Sequence, residues 1–182
     1  MDNNFLLQQE IECQHNLLKT YQESKKLFTR AEEVLIEMQF FIAPMLEHRD
    51  ALDHIMRYME MRQAGLSQQA LNELNKALGH EIRAYFDTAD FVCVTVRQYI
   101  ASSMKSISKR KVERIWSDYL KIREKVLKVS EEIAEIRITR KGTMECIEKY
   151  KVVLDEIFEI YSEYISKIEP QIKLKKNKVI TN

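Results

Sequence analysis

The side chains best suited to chemistry lie between Pro44 and Arg62. The run Glu47-His48-Arg49-Asp50-Ala51-Leu52-Asp53-His54-Ile55-Met56-Arg57 holds seven charged or imidazole-bearing residues among its eleven. A second cluster, His80, Arg83 and Asp87, follows within Gly79-His80-Glu81-Ile82-Arg83-Ala84-Tyr85-Phe86-Asp87. Imidazole gives and takes protons near neutral pH. Guanidinium presents a planar fork of donors to developing negative charge, and a carboxylate can orient either group. Nowhere else in the chain do the three types converge.

Both clusters sit in helix-forming sequence. Leu52, Ile55, Met56 and Met59 mark an apolar side of the first, and Gln63-Ala64-Gly65-Leu66-Ser67 reads as a turn, with Gly65 as breaker and Ser67 as N-cap. If the flanking helices pack antiparallel, residues whose numbers sum to about 129 lie level. Arg49 then meets His80, and His54 meets Asn75. A plain surface accounts for part of this pattern. Arg49, Asp53 and Arg57 are four apart, as are Asp50 and His54, and such pairs contribute roughly 0.2–0.5 kcal/mol each on a solvated helix. His80, Arg83 and Asp87 also fall opposite the stripe of Leu74, Leu78, Ile82 and Tyr85. Against that reading, Phe91 and Val94 continue the Asp87 side, so something apolar covers it. Gly79 beside His80 leaves room for a backbone or a ligand. Three of the four histidines lie in the two clusters, and burial of such groups demands partners.

The elements that position these residues are helical throughout. With three Gly, two Pro and 31% charged residues, the 182-residue chain reads as one all-α domain spanning 1–182. Residues 5–42 form one long helix with Leu7, Ile11, Leu18, Tyr21, Phe28, Ala31, Leu35, Met38 and Ile42 as its stripe, interrupted by Gln14 and Lys25. Pro44 marks a boundary. Helices over 44–62 and 67–106 carry the polar clusters, and Phe91 to Ile100 is the expected burial maximum. Over 108–139, Val112, Ile115, Tyr119, Ile122, Val126, Val129, Ile133 and Ile136 recur at threes and fours. Ile147, Tyr150, Leu154, Ile157, Tyr161, Tyr164 and Ile168 repeat that spacing over 143–169. Folding back at Lys141-Gly142 sets Val129 level with Leu154 and Ile122 with Tyr161, the register of an antiparallel coiled-coil-like hairpin. Pro170 closes the last helix and 170–182 is a basic tail. The expected architecture is a bundle of four to five long antiparallel helices with that C-terminal hairpin, self-associating or bound to a helical protein partner along it.

Composition narrows function further. A net charge of +1 marks neither a strongly basic nucleic-acid binder nor an acidic tail. Cys13, Cys93 and Cys146 are odd in number and widely spaced, as in reduced thiols of a cytoplasmic protein. No signal-peptide pattern and no membrane-spanning run is present. Glu-x-x-His pairs of the di-iron bundle type, Gly-rich phosphate loops and nucleophile elbows are absent, so no metal and no cofactor is expected. His15 reads as a solvated residue. Lys105, Lys109, Arg110, Lys111 and Arg114, with Trp116 and Tyr119 close by, form a basic patch that suits an RNA backbone or a charged helix junction equally.

The spacing Arg49-Asp50-x-x-x-His54 resembles the motif of the HEPN superfamily, all-helical domains of prokaryotic toxins, antiphage systems and RNA-processing proteins. That resemblance implies metal-independent RNA cleavage by attack of a ribose 2′-hydroxyl on the adjacent phosphate. His54 would move the proton, Arg49 would stabilise the phosphate charge, and Asp50 would orient one of them. Arg57, His80 and Arg83 are further candidates for phosphate contact, read from the hairpin geometry. On a straight helix Arg49 and His54 point about 140° apart, so a shared pocket calls for a kink or a second protomer. Two other functions fit the same residues. One is a non-catalytic helical assembly subunit, and the other is a bundle that binds a phosphate-containing small molecule through Arg49, His54, His80 and Arg83.

Overall fold

The computed structural model describes residues 3–34, 42–105, 107–139 and 144–173. Its helices are α1 (Asn3–Val34), α2 (Ile42–Gln63), α3 (Ser67–Met104), α4 (Lys109–Ile115), α5 (Tyr119–Thr139) and α6 (Met144–Glu163). A π-turn at Tyr164–Ile168 follows α6. There is no strand among the described residues, and the protein is an all-α bundle. None of these helices is long and apolar enough to cross a membrane. The expected stretch 35–41, the turn at Lys141-Gly142 and the tail beyond Lys173 lie outside the described residues.

The chain divides into two compact units, one of Met1–Asp90 with Lys141–Ile147, the other of Phe91–Arg140 with Glu148–Asn182. In the first, α1 and α2 run antiparallel. Gln14 Nε2 donates to Tyr58 Oη at 2.7 Å, while Ser24 Oγ lies 3.5 Å from His48 Nε2, so one residue number falls as the other rises. The α2–α3 pair obeys the same rule, from Glu47–Arg83 at one end to His54–Glu73 at the other. Gly65 turns the chain between them at φ +72°, a left-handed conformation that glycine adopts without a Cβ clash. Cys13, Leu71 and Leu74 form a core cluster here, flanked by Leu17, Tyr58 and Leu78.

Of the described residues in the apolar stripe expected on α1, only Ala31 is buried. Glu10, Cys13, Thr20, Ser24, Leu27 and Ala31 are buried, whereas Leu7, Ile11, Leu18 and Tyr21 remain 44–56% exposed. At 3.6 residues per turn the two faces lie about 110° apart. Small side chains on the inner face admit close approach, and its polar groups find partners. Thr20 Oγ1 donates to the Asn16 carbonyl at 2.8 Å and reaches Met144 Sδ at 3.1 Å. Tyr58 Oη donates to the Glu10 carboxylate, which Arg62 Nε also approaches at 3.2 Å. On α2 likewise, Leu52, Met56 and Met59 stay about half exposed.

In the second unit the expected seam holds. Tyr150, Leu154, Ile157, Tyr161, Tyr164 and Ile168 are all buried, as are Val129 and Ile133 on α5. Lys125 and Glu156 pair at 3.9 Å, two positions from the expected register. These residues form core inside the chain, so the seam is not an open surface for a partner. Two expectations fail locally. The helix over 108–139 breaks at Trp116, whose extended backbone (φ −128°, ψ 90°) turns its indole into a cluster with Met104, Val112, Ile115 and Tyr164. Pro170 does not close the last helix, which continues to Lys173. The preceding π-turn, in which the Glu169 amide donates to the Tyr164 carbonyl, widens the backbone just where the proline ring would crowd the previous turn. The burial maximum of α3 also starts earlier than Phe91. Ala84, Tyr85, Phe86, Thr88, Ala89, Val92, Cys93 and Val96 are almost fully buried, while Val94 is exposed.

Candidate functional site

The α2–α3 pair arranges its histidines as a ladder, each ring joined to a glutamate of the opposite helix. His48 Nδ1 lies 2.9 and 3.1 Å from the two oxygens of Glu81. His54 Nδ1 lies 2.6 Å from Glu73 Oε2, and His80 Nδ1 lies 2.8 Å from Glu47 Oε2. The residue numbers in these pairs sum to 129, 127 and 127, so the register expected from the turn holds. His54 finds Glu73, two positions from the expected Asn75, and His80 finds Glu47, two positions from the expected Arg49. The rungs are sheltered: the Glu81 side chain is 5% exposed and that of His54 15%. His54 and His80 stack, with ring centroids 5.1 Å apart and planes 25° apart.

The carboxylates carry the electrostatics of the ladder. Burial pushes the Glu47 carboxyl up, but hydrogen bonds from Arg83 and His80 outweigh it and hold the group below the ordinary range. Arg83 Nε donates to the same oxygen at 2.8 Å. Glu73 is also held low, first by its bond from Lys76 and then by His54. Both are therefore ionised near neutral pH and can only accept hydrogen bonds, which places a proton on Nδ1 of His54 and of His80. Among the described residues Nε2 of neither ring has a hydrogen-bond partner.

Arg49 and Asp50 adjoin this ladder. Asp50 Oδ1 accepts from Arg49 Nε at 2.9 Å and from Nη2 at 2.7 Å. Those two bonds are the main reason the Asp50 carboxyl is lowered, and the fields of His80 and His54 add to them. Asp50 thus holds the guanidinium of its neighbour beside the two imidazoles without bonding to either ring among the described residues. Arg49 itself is 69% exposed, and its reach to Asp50 replaces the i,i+4 pairing with Asp53 that the spacing had allowed.

Of the six residues singled out from sequence, the fold therefore gathers Asp50, His54, His80 and Arg83 around the ladder, with Arg49 at its rim. Arg57 is not brought in: its Nη2 is held by Asp53 at 2.5 Å, one turn back on the solvent side of α2. Beside Gly79 lies the Arg83 side chain, whose Nη1 would be 3.6 Å from an added Cβ. The residues missed were the glutamates. Glu47, Glu73 and Glu81 are the counterparts that make burial of three imidazoles affordable, and their signal was available in the register, since each lies within two positions of the level partner of a histidine.

Among the described residues no three His, Cys, Asp or Glu side chains are grouped as a metal site requires. The three cysteines are buried, and burial, then Glu12, pushes the Cys13 thiol up, away from the reactive thiolate form. No protein-family model, curated protein or solved structure matches this chain.

Proposed function

We propose that the Arg49–Asp50–His54 group cleaves RNA without a metal ion, as a HEPN-like component of a prokaryotic toxin or antiphage defence module. The observation that supports this reading is the stacked His54–His80 pair, 5.1 Å between ring centroids, on the same helix pair as Asp50, which accepts from Arg49 Nε and Nη2. In the proposed reaction the ribose 2′-hydroxyl gives its proton to His54 Nε2 and its oxygen bonds to the adjacent phosphorus. The bond from phosphorus to the 5′-oxygen breaks, and that oxygen takes a proton from the stacked His80. The products are a 2′,3′-cyclic phosphate and a free 5′-hydroxyl. Glu73 holds the His54 tautomer and would stabilise its protonated form. Arg49 and Arg83 would meet the phosphate charge. Incubation of the protein with RNA in EDTA tests the proposal. Fragments with cyclic-phosphate ends, lost in His54→Ala and in Arg49→Ala, are expected. RNA left intact by an excess of the wild-type protein removes it.

A second reading, a helical assembly subunit, is favoured by a separate observation. Leu7, Ile11, Leu18 and Tyr21 on α1 and Met45, Leu52, Met56 and Met59 on α2 are each about half exposed. In the α1–α2 register Ile11 lies level with Met59 and Leu18 with Leu52. Leu18, Tyr21 and Leu52 line one groove between the helices, floored by Leu74. A contiguous row of half-exposed aliphatic side chains of this kind commonly marks an interaction surface. It is where a partner helix or a second copy would dock, in place of the buried C-terminal seam.

A further inference from the structure

The second unit holds a cavity of about 570 Å³ between the C-terminal part of α3, Trp116 and α5. Its walls are mainly aliphatic, from Ile100 and Met104 on one side to Ile122 and Val126 on the other, closed by Trp116 and Tyr119. Three cations line it, Arg97, Lys105 and Arg123, and no carboxylate does. Arg97 is half-buried. Its Nε donates to the Cys93 carbonyl at 3.0 Å and its Nη1 to Ser130 Oγ at 2.6 Å, and among the described residues it has no acidic partner. Neither does Lys105 or Arg123. The Trp116 indole N–H, buried beside them, also has no acceptor among the described residues.

Arg83 and Lys125, by contrast, meet the carboxylates of Glu47 and Glu156. Partly desolvated guanidinium without a counter-charge is costly, and three like charges around one hollow raise that cost. An anion entering the hollow removes it. The walls define the body that goes with the anion. A nucleobase would need edge-on hydrogen-bond partners, and the lining offers no amide, hydroxyl or carboxylate side chain other than the Tyr119 phenol. Aliphatic walls instead suit a flexible hydrocarbon, and the volume lies within the range of small-molecule sites, roughly 300–1,000 Å³.

We infer that this cavity binds a single-chain anionic amphiphile, its hydrocarbon tail between α3 and α5 and its carboxylate or phosphate head against Arg97, Lys105 and Arg123. The site is separate from the histidine ladder and stands whether or not the protein cleaves RNA.

Trp116 is the sole tryptophan of the chain, so its fluorescence reports on the cavity directly. Laurate and dodecyl phosphate, each kept below its self-assembly concentration, are titrated against the full-length protein, with dodecanol, dodecyltrimethylammonium and adenosine monophosphate as comparisons. Saturable quenching or a spectral shift with at least one anionic chain is expected, at affinities ten or more times those for dodecanol and the cationic chain. The tighter of the two anions identifies the head group. Arg123→Glu, at an exposed side chain with no ion pair to lose, should weaken binding at least tenfold, whereas Lys121→Glu on the outer side of α5 should not. Arg97→Gln should act likewise, provided circular dichroism shows it folded. Equal binding of the three dodecyl chains irrespective of charge, tighter binding of adenosine monophosphate, or no change with either anion overturns the inference.

Discussion

Replacing Glu47 by Gln isolates the carboxylate that holds two members of the candidate site. Its Oε2 accepts from His80 Nδ1 and from Arg83 Nε, each at 2.8 Å. The His80 bond is sheltered on both sides, with side-chain exposures of 19% and 23%, and hydrogen bonds to charged groups contribute about 1.5–3 kcal/mol. The Arg83 side chain is 52% exposed, so solvent reduces that pair to roughly 0–1 kcal/mol. Glutamine keeps an acceptor oxygen and recovers part of the first bond, which leaves a net loss of about 1–2 kcal/mol. For a chain of this length each kcal/mol moves Tm by roughly 2–4 °C, so the variant should melt roughly 2–8 °C lower at pH 7. The pH dependence follows from the lowered carboxyl. The unfolded chain takes up a proton at Glu47 near pH 4.3, before the folded protein does. The carboxylate therefore stabilises the fold fully above about pH 5, and that contribution is lost as pH falls through the folded-state value. Glutamine does not titrate, so the gap between wild type and variant should close toward pH 3. Urea unfolding followed by helical circular dichroism from pH 7 to pH 3 measures it. A gap under about 0.3 kcal/mol at pH 7, or one that stays constant across the series, refutes the reasoning.

Arg49→Ala should leave stability within about 0.5 kcal/mol, because an exposed guanidinium bonded only to its neighbour contributes little, while abolishing RNA cleavage; a large drop in Tm would instead make Arg49 a structural residue. Leu52→Glu should remove any self-association seen by light scattering with Tm unchanged, whereas Ile157→Glu, at a fully buried position, should unfold the second unit at a cost of several kcal/mol. Aggregation state indifferent to Leu52→Glu would separate the α1–α2 groove from assembly. The three buried thiols should react with a disulfide reagent only on unfolding, and one fast-reacting equivalent in native buffer would contradict their burial.

Periodicity and turn chemistry alone determined much of this protein. The helical class follows from the near absence of Gly and Pro and from stripes at threes and fours. The α2–α3 register follows from Gly65, because a tight left-handed turn leaves two helices only one way to run back past each other. The C-terminal seam was equally legible: Tyr150, Leu154, Ile157, Tyr161 and Tyr164 are large and unbroken in spacing, although Val153, Phe158 and Ile160 beside them are buried as well. On this basis the sequence groups Arg49, Asp50, His54, His80 and Arg83.

Tertiary structure decided what local pattern leaves open. On α1 the stripe of Leu7, Ile11, Leu18 and Tyr21 identified residues that share a face, but a pattern cannot say which face meets a neighbour. The small side chains of Ala31, Ser24 and Thr20 allow closer helix contact, and Glu10 finds Tyr58 and Arg62 only once α2 has folded back. The break at Trp116 and the π-turn before Pro170 arise from packing in the second unit, where one indole and one proline ring override the propensity of their segments. Which histidine meets which glutamate is likewise a property of two helices in register, and it is this pairing that offsets the cost of sheltering the imidazoles.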